Sequence, residues 1–241
     1  MDVLKTLSSI PGLAVLIGLI VAAALLVMLV NWRLLILALG VQYLLVGLML
    51  TRVVPLELAA VKALVGVMIC PVLFITARRV RWGQIDQHHD EAEADQQPDE
   101  PSTPDRPTAK PAVRRSIIGW LISPGFPLRL MAALLTAVLA VSLALRNPLS
   151  VTNDVILSRD ITIGTFGLLL LGLLNILLNE NPLKVGVGLL SLLAGFEMFY
   201  TSVEPTLTIV GLLGLTNLII GLAIAYLTTA WATHPPREAQ R

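Results

Sequence analysis

Glu197 stands in the run Leu-Leu-Ala-Gly-Phe-Glu-Met-Phe-Tyr, residues 192–200, inside an apolar stretch long enough to cross a bilayer. An ionisable side chain at membrane depth costs about 2.5–3.5 kcal/mol on insertion scales, so its presence asks for a function. The chemistry open to it is proton carriage or hydrogen bonding between helices; the plainer reading is an acid near the interface, four to six residues from the helix end. Lys62, in Ala-Ala-Val-Lys-Ala-Leu-Val-Gly, poses the same question about two turns into a second apolar stretch. Either its stem carries the ammonium to the surface, or it is buried and paired in a proton relay. Glu57, five residues earlier, is off the face of Lys62 and reads as interfacial. Asn175 and Asn217 fall mid-span, as does Gln42; amides at that depth bond between helices at about 0.6 kcal/mol each. Glu197, Lys62, Asn217, Asn175 and Glu57 are thus the candidates for a polar path.

Other chemistry is poorly represented. The one cysteine, Cys70, excludes an internal disulfide and a cysteine-based metal site. The His88-His89-Asp90-Glu91 cluster has metal-binding residue types, but adjacent residues in an unstructured strand do not preorganise a site. No nucleophile–base pair, cofactor motif or basic stripe for nucleic acid is present. The expectation is a protein with no catalytic site, cofactor or metal of its own, and no nucleic-acid partner.

The elements that position these residues are membrane spans. The 241 residues are 56% hydrophobic and 14% charged, where soluble domains carry about 25% charge. Seven segments approach the roughly 20 apolar residues of a spanning helix: 11–31, 33–52, 55–77, 129–146, 161–179, 183–203 and 206–231. The first is read as a retained span, being longer than a signal-peptide core. Asn31-Trp32-Arg33, Pro55, Asn179-Glu180-Asn181-Pro182 and Glu204-Pro205 supply the breaks. The fold class expected is all-α, a polytopic transmembrane bundle of about seven spans with a disordered central loop.

Four regions follow: a three-helix module at 1–79, a proline-rich acidic linker at 80–127, a four-helix module at 128–232 and a tail at 233–241. Residues 84–113 carry too much charge and proline to form a core. Residues 117–122, with Trp120, either lie in the interface or lengthen the fourth span. Arg78, Arg79 and Arg81 precede the linker and Arg114, Arg115 and Arg129 follow it. The positive-inside rule then makes the linker cytoplasmic. The N-terminus falls outside and the C-terminus inside, in the cell's inner (plasma) membrane. Arg52, Arg146 and Arg159 fall on the outer side, against the bias. Divided into three and four helices, the chain shows no convincing self-similarity.

Three stretches resemble a known family. Asn181-Pro182-Leu183-Lys184 with Gly188-Leu189, and Thr216 through Ala223, look like parts of the small three-helix subunit of complex I and of multisubunit cation/proton antiporters, the NuoK/MrpC type. Ala60 through Gly66, running to Thr76-Ala77-Arg78, resembles a lysine-bearing helix of hydrogenase-4 component E. The resemblance spans about 110 of the 241 residues. It implies an accessory membrane subunit of a complex I-like, hydrogenase or antiporter assembly. Its partners would be the lipid bilayer and other membrane subunits, a large antiporter-like one among them. The chain departs from the family where function is concentrated. Leu190 and Leu193 occupy the positions of the family's first acid, and Asn217 that of its second. Glu197 lies four and seven residues beyond those leucines, on roughly the same helical face. A membrane scaffold that tethers a soluble partner is the alternative reading, and an independent transporter a third.

Overall fold

The computed structural model describes residues 12–29, 31–80, 126–147, 150–152, 155–156 and 159–233. The His88–Glu91 cluster, the 117–122 segment, the C-terminal tail beyond Thr233 and nearly all of the expected linker lie outside them.

Seven helices carry the described chain: α1 Gly12–Met28, α2 Trp32–Leu50, α3 Leu56–Val80, α4 Phe126–Arg146, α5 Arg159–Leu177, α6 Pro182–Val203 and α7 Leu207–Thr233. Six of them are long and apolar enough to cross a membrane. The exception is α1, whose 17 residues reach about 25 Å at 1.5 Å per residue. The molecule is therefore a polytopic membrane protein built of helices. One short antiparallel pair, Ser150–Thr152 (β1) with Val155–Ile156 (β2), occupies the α4–α5 connection.

The helix boundaries have local causes. Asn31 and Asn181 cap α2 and α6, each side-chain oxygen accepting the N–H two residues on, from Arg33 and Leu183, at 3.1 Å. Such a cap satisfies one of the orphan donors at a helix start. Pro182 follows at the first helical position, where a missing N–H costs nothing. The carbonyl of Pro55 accepts from Leu58 and Ala59 as α3 begins. Pro71 sits inside α3, an interruption that neighbouring helices make tolerable in a membrane. α4 begins at Phe126, one turn before the apolar pattern alone would place it.

The helices form two rows of three. In one, α2 lies between α1 and α3; in the other, α6 lies between α5 and α7. The rows face each other in matching order, α1 against α5, α2 against α6 and α3 against α7, and α4 packs along α1 and α5. Leucine-rich faces point outward: Leu128, Met131 and Leu135 of α4 and Leu212, Ile219 and Leu222 of α7 are all well exposed. On a soluble protein so much apolar surface would be a liability; on a spanning bundle it meets lipid.

Glycine sets the closest approach. A Cβ on Gly172 of α5 would stand 2.6 Å from the Leu192 N and 2.9 Å from the Gly188 O of α6. Backbone cannot yield as a side-chain tip can. Gly172→Ala should destabilise the bundle by about 1–3 kcal/mol, read as a lower midpoint in detergent unfolding. Gly211→Ala, where a Cβ meets nothing within 4 Å, should leave that midpoint unchanged.

Candidate functional site: a buried ion pair between the helix rows

Lys62 projects from α3 six residues past its first residue, about 9 Å along the axis. Glu197 lies six residues before the end of α6, at a matching depth. The structure joins them: Lys62 Nζ forms an ion pair with Glu197 Oε2, and the two side chains are only 5% and 1% exposed. Asn217 of α7 donates through Nδ2 to the same carboxylate oxygen at 2.8 Å. The Tyr43 ring of α2 completes the surround, its centroid 5.7 Å from Lys62 Nζ, close enough for a cation–π contribution. Four helices thus converge on one charge pair.

Local packing explains how this geometry is reached. Gly66, one turn beyond Lys62 on α3, lies directly under Cβ and Cγ of Tyr43 and leaves no room for a side chain. Tyr43 is thereby held against α3, wholly buried. Lys62 has no outlet along that face, and its ammonium turns to the carboxylate rather than to the surface.

The cluster differs from a saturated salt bridge. Glu197 Oε1, Asn217 Oδ1 and the Tyr43 hydroxyl are buried and find no hydrogen-bond partner among the described residues. Of these only Glu197 Oε1 can bind a proton, and beside the ammonium it gives one a second place to reside, with the amide and phenol oxygens as hydrogen-bond acceptors. An ammonium–carboxylate pair and an amine–carboxylic acid pair carry the same net charge, so a proton can shift within the pair without charging the membrane interior. The Asn217 amide suits both forms. It donates N–H to the carboxylate, and after a 180° turn its oxygen accepts O–H from the acid. Titration belongs to the pair rather than to either residue.

The other expected site residues lie elsewhere. Asn175 donates to the Lys184 carbonyl at 3.2 Å and accepts from Asn179 at 2.8 Å, fastening the end of α5 to the start of α6. Lys184 and Glu197 are thirteen residues apart on one helix, about 20 Å, so Asn175 is remote from the ion pair. Glu57 is exposed in the first turn of α3. Gln42 makes the interhelical bond expected of a mid-span amide, to Ser191 Oγ of α6 at 2.8 Å. Gln42→Leu should cost on the order of 0.6 kcal/mol in equilibrium unfolding, far less than a change at the ion pair. Two contributors escape a reading by type, Tyr43 and Ser191. For Tyr43 the available signal was Gly66, placed one turn after a membrane lysine.

Comparison of the chain with known family models, curated proteins and solved structures gives no match.

Proposed function

We propose that this membrane protein is a non-catalytic subunit of a proton- or cation-translocating membrane assembly of the complex I-like, energy-converting hydrogenase or antiporter class. In that assembly it contributes a proton-holding site. One observation carries the reading: Lys62 of α3 meets Glu197 and Asn217 of the consecutive helices α6 and α7 in one buried polar cluster at membrane depth. Charged residues there pair with one another and mark ion or proton pathways.

The resemblance adds support of a specific kind. Asn217 occupies the position of the family's second glutamate, and Glu197 is a displaced version of the first. The two are hydrogen-bonded to each other. Where the family has two carboxylates, this chain has one carboxylate, one amide and a lysine from the N-terminal helices. A single titratable centre is a station, and a path through the membrane needs further groups from neighbouring subunits. A large antiporter-like subunit is the partner this reading calls for.

Orientation is part of the proposal. With the 80–127 region cytoplasmic, the ion pair lies in the outer half of the bilayer. Arg52, one of the residues against the charge bias, has company there: Asp160 Oδ2 and Arg52 Nη1 both close on Gly12, 2.8 and 2.9 Å from where its Cβ would stand. A neighbouring acid offsets that outer positive charge.

A deletion separates this reading from the scaffold alternative. Removing residues 84–113 leaves a proton-site subunit assembled and active in native membranes. If the same deletion releases a soluble partner and activity is otherwise insensitive to Glu197→Gln, the protein is an anchor.

A further inference from the structure

Dividing the chain at α4, rather than into three helices and four, exposes a repeat. Asn31 and Asn181 are 150 residues apart, and so are Pro55 and Pro205. The asparagines are equivalent in detail: each is an N-cap in extended backbone, φ −73° and ψ 115° against φ −72° and ψ 122°, and each accepts from the residue two ahead. Each proline stands just before the third helix of its set, α3 or α7. At this offset α1, α2 and α3 correspond to α5, α6 and α7, the same pairs that face each other across the two rows.

Burial shows how the sets are related. Lys62, Val65 and Ile69 of α3 are buried against the second row, while their counterparts Leu212, Leu215 and Ile219 on α7 are 63%, 54% and 60% exposed. The reverse holds on the other face. Ser191, Gly214 and Asn217 of the second row are buried, and their counterparts Val41, Leu64 and Val67 are 45%, 59% and 55% exposed. The front of the first set therefore grips the back of the second. A two-fold axis along the membrane normal would instead bury the same face of both and set α1 against α7. The observed relation is a translation, as in stacked repeats.

This arrangement explains α4. Three antiparallel helices in turn leave the chain at the end opposite its start. A second set in the same orientation needs one more crossing, which α4 supplies. Of the six helices long enough to span, α4 is the least buried.

The contact between the sets differs from the contacts within the second. Inside that set, backbones touch at glycine, as at Gly172 and at Gly195, where a Cβ would stand 3.0 Å from Leu169 N. Between the sets the neighbours of glycine are side chains: Ile20 Cγ1 at Gly167, 3.5 Å, and Val65 Cγ2 at Gly214, 3.0 Å. The buried polar bonds Lys62–Glu197 and Gln42–Ser191 also cross between the sets. At the repeat-equivalent positions stand Leu212 for Lys62, Gly47 for Glu197, Leu192 for Gln42, Val41 for Ser191 and Val67 for Asn217, none of them ionisable; Leu212, Val41 and Val67 are exposed and Leu192 is half-buried.

We infer that the chain is a tandem duplication of a three-helix membrane unit, stacked front to back with α4 as the return crossing, and that its proton- or cation-holding site belongs to the seam between the two copies rather than to either copy. Transporter folds built from repeats place their ion sites at the same kind of boundary. The stacking stands independently of the proposed transport role. On this reading a proton or water reaches Glu197 along the seam, so tying the two units together should limit its access.

Four cysteine positions test the stacking in the full-length chain, with Cys70→Ser and a protease site placed within residues 84–113. Front-to-back stacking predicts that the pairs Ile20→Cys/Gly167→Cys and Val65→Cys/Gly214→Cys cross-link, keeping the cleaved chain as one band without reductant. The swapped pairs Ile20→Cys/Gly214→Cys and Val65→Cys/Gly167→Cys should separate on cleavage. Linkage of the swapped pairs, or of neither set in protein that stays monodisperse, overturns the front-to-back stacking. A second reading isolates the site. Labelling of Glu197 by a hydrophobic carbodiimide, followed by mass spectrometry, should fall at least about tenfold when 65 and 214 are linked and recover on reduction. Equal labelling in linked and reduced protein would overturn the placement of the site in the seam, while leaving the stacking result intact.

Discussion

Lys62→Met should lower the stability of the folded bundle by about 3–5 kcal/mol, the cost of leaving one member of a buried ion pair without the other. Glu197→Gln should cost a similar amount for the same reason. The double variant should lose much less than the sum, because a methionine and a glutamine leave no uncompensated charge. The expected coupling, at least about 2 kcal/mol, lies in the upper range for directly interacting residues. Equilibrium unfolding in mixed micelles measures all four corners of the cycle. Asn217→Leu belongs beside them. It removes the amide that donates to Glu197 Oε2 without creating a charge imbalance, so its cost should fall nearer 1–3 kcal/mol. Additive effects of Lys62 and Glu197 would mean that the two do not form a pair in the folded protein.

The second large effect is on transport. In membranes that contain the assembled complex, Glu197→Gln should reduce proton-coupled activity on the order of tenfold or more, the scale expected when a positioned proton donor is removed. Glu197→Asp should retain part of it, since the acid is kept and only its reach is shortened. Subunit content, checked by quantitative mass spectrometry, separates loss of transport from loss of assembly. Unchanged proton coupling in Lys62→Met/Glu197→Gln would leave the pair with a purely structural role.

Much of the fold was legible in the sequence, and the reason is the solvent. A bilayer demands about 20 apolar residues per crossing, and prolines and capping asparagines punctuate the intervals. All seven helix positions could therefore be read within about three residues, the start of α4 at Phe126 lying just ahead of the clean apolar pattern. The candidate site was only half legible. Glu197, Lys62 and Asn217 each stood out as polar groups at membrane depth. That they meet could not be read, because Lys62 and Glu197 are 135 residues apart and their encounter depends on α3 lying against α7. Tyr43 carries no mark of its role in the sequence, because its place is set by packing over Gly66. Asn175 resembled Asn217 by depth and type alone, yet it serves the α5–α6 turn. The repeat was hidden by α4, which spoils any division of the chain into halves, and by the divergence of its two faces.

One measurement bears most directly on the central claim, that Lys62 occupies the Glu197 carboxylate inside the membrane bundle. A hydrophobic carbodiimide modifies a protonated carboxyl in an apolar setting, and peptide mass spectrometry locates the adduct. In the unaltered protein Glu197 should react slowly, because Lys62 Nζ and Asn217 Nδ2 both engage Oε2. In Lys62→Met it should react several-fold faster, and Glu57, exposed in the first turn of α3, should be unaffected by the same change. Equal rates at Glu197 with and without Lys62 would contradict the account.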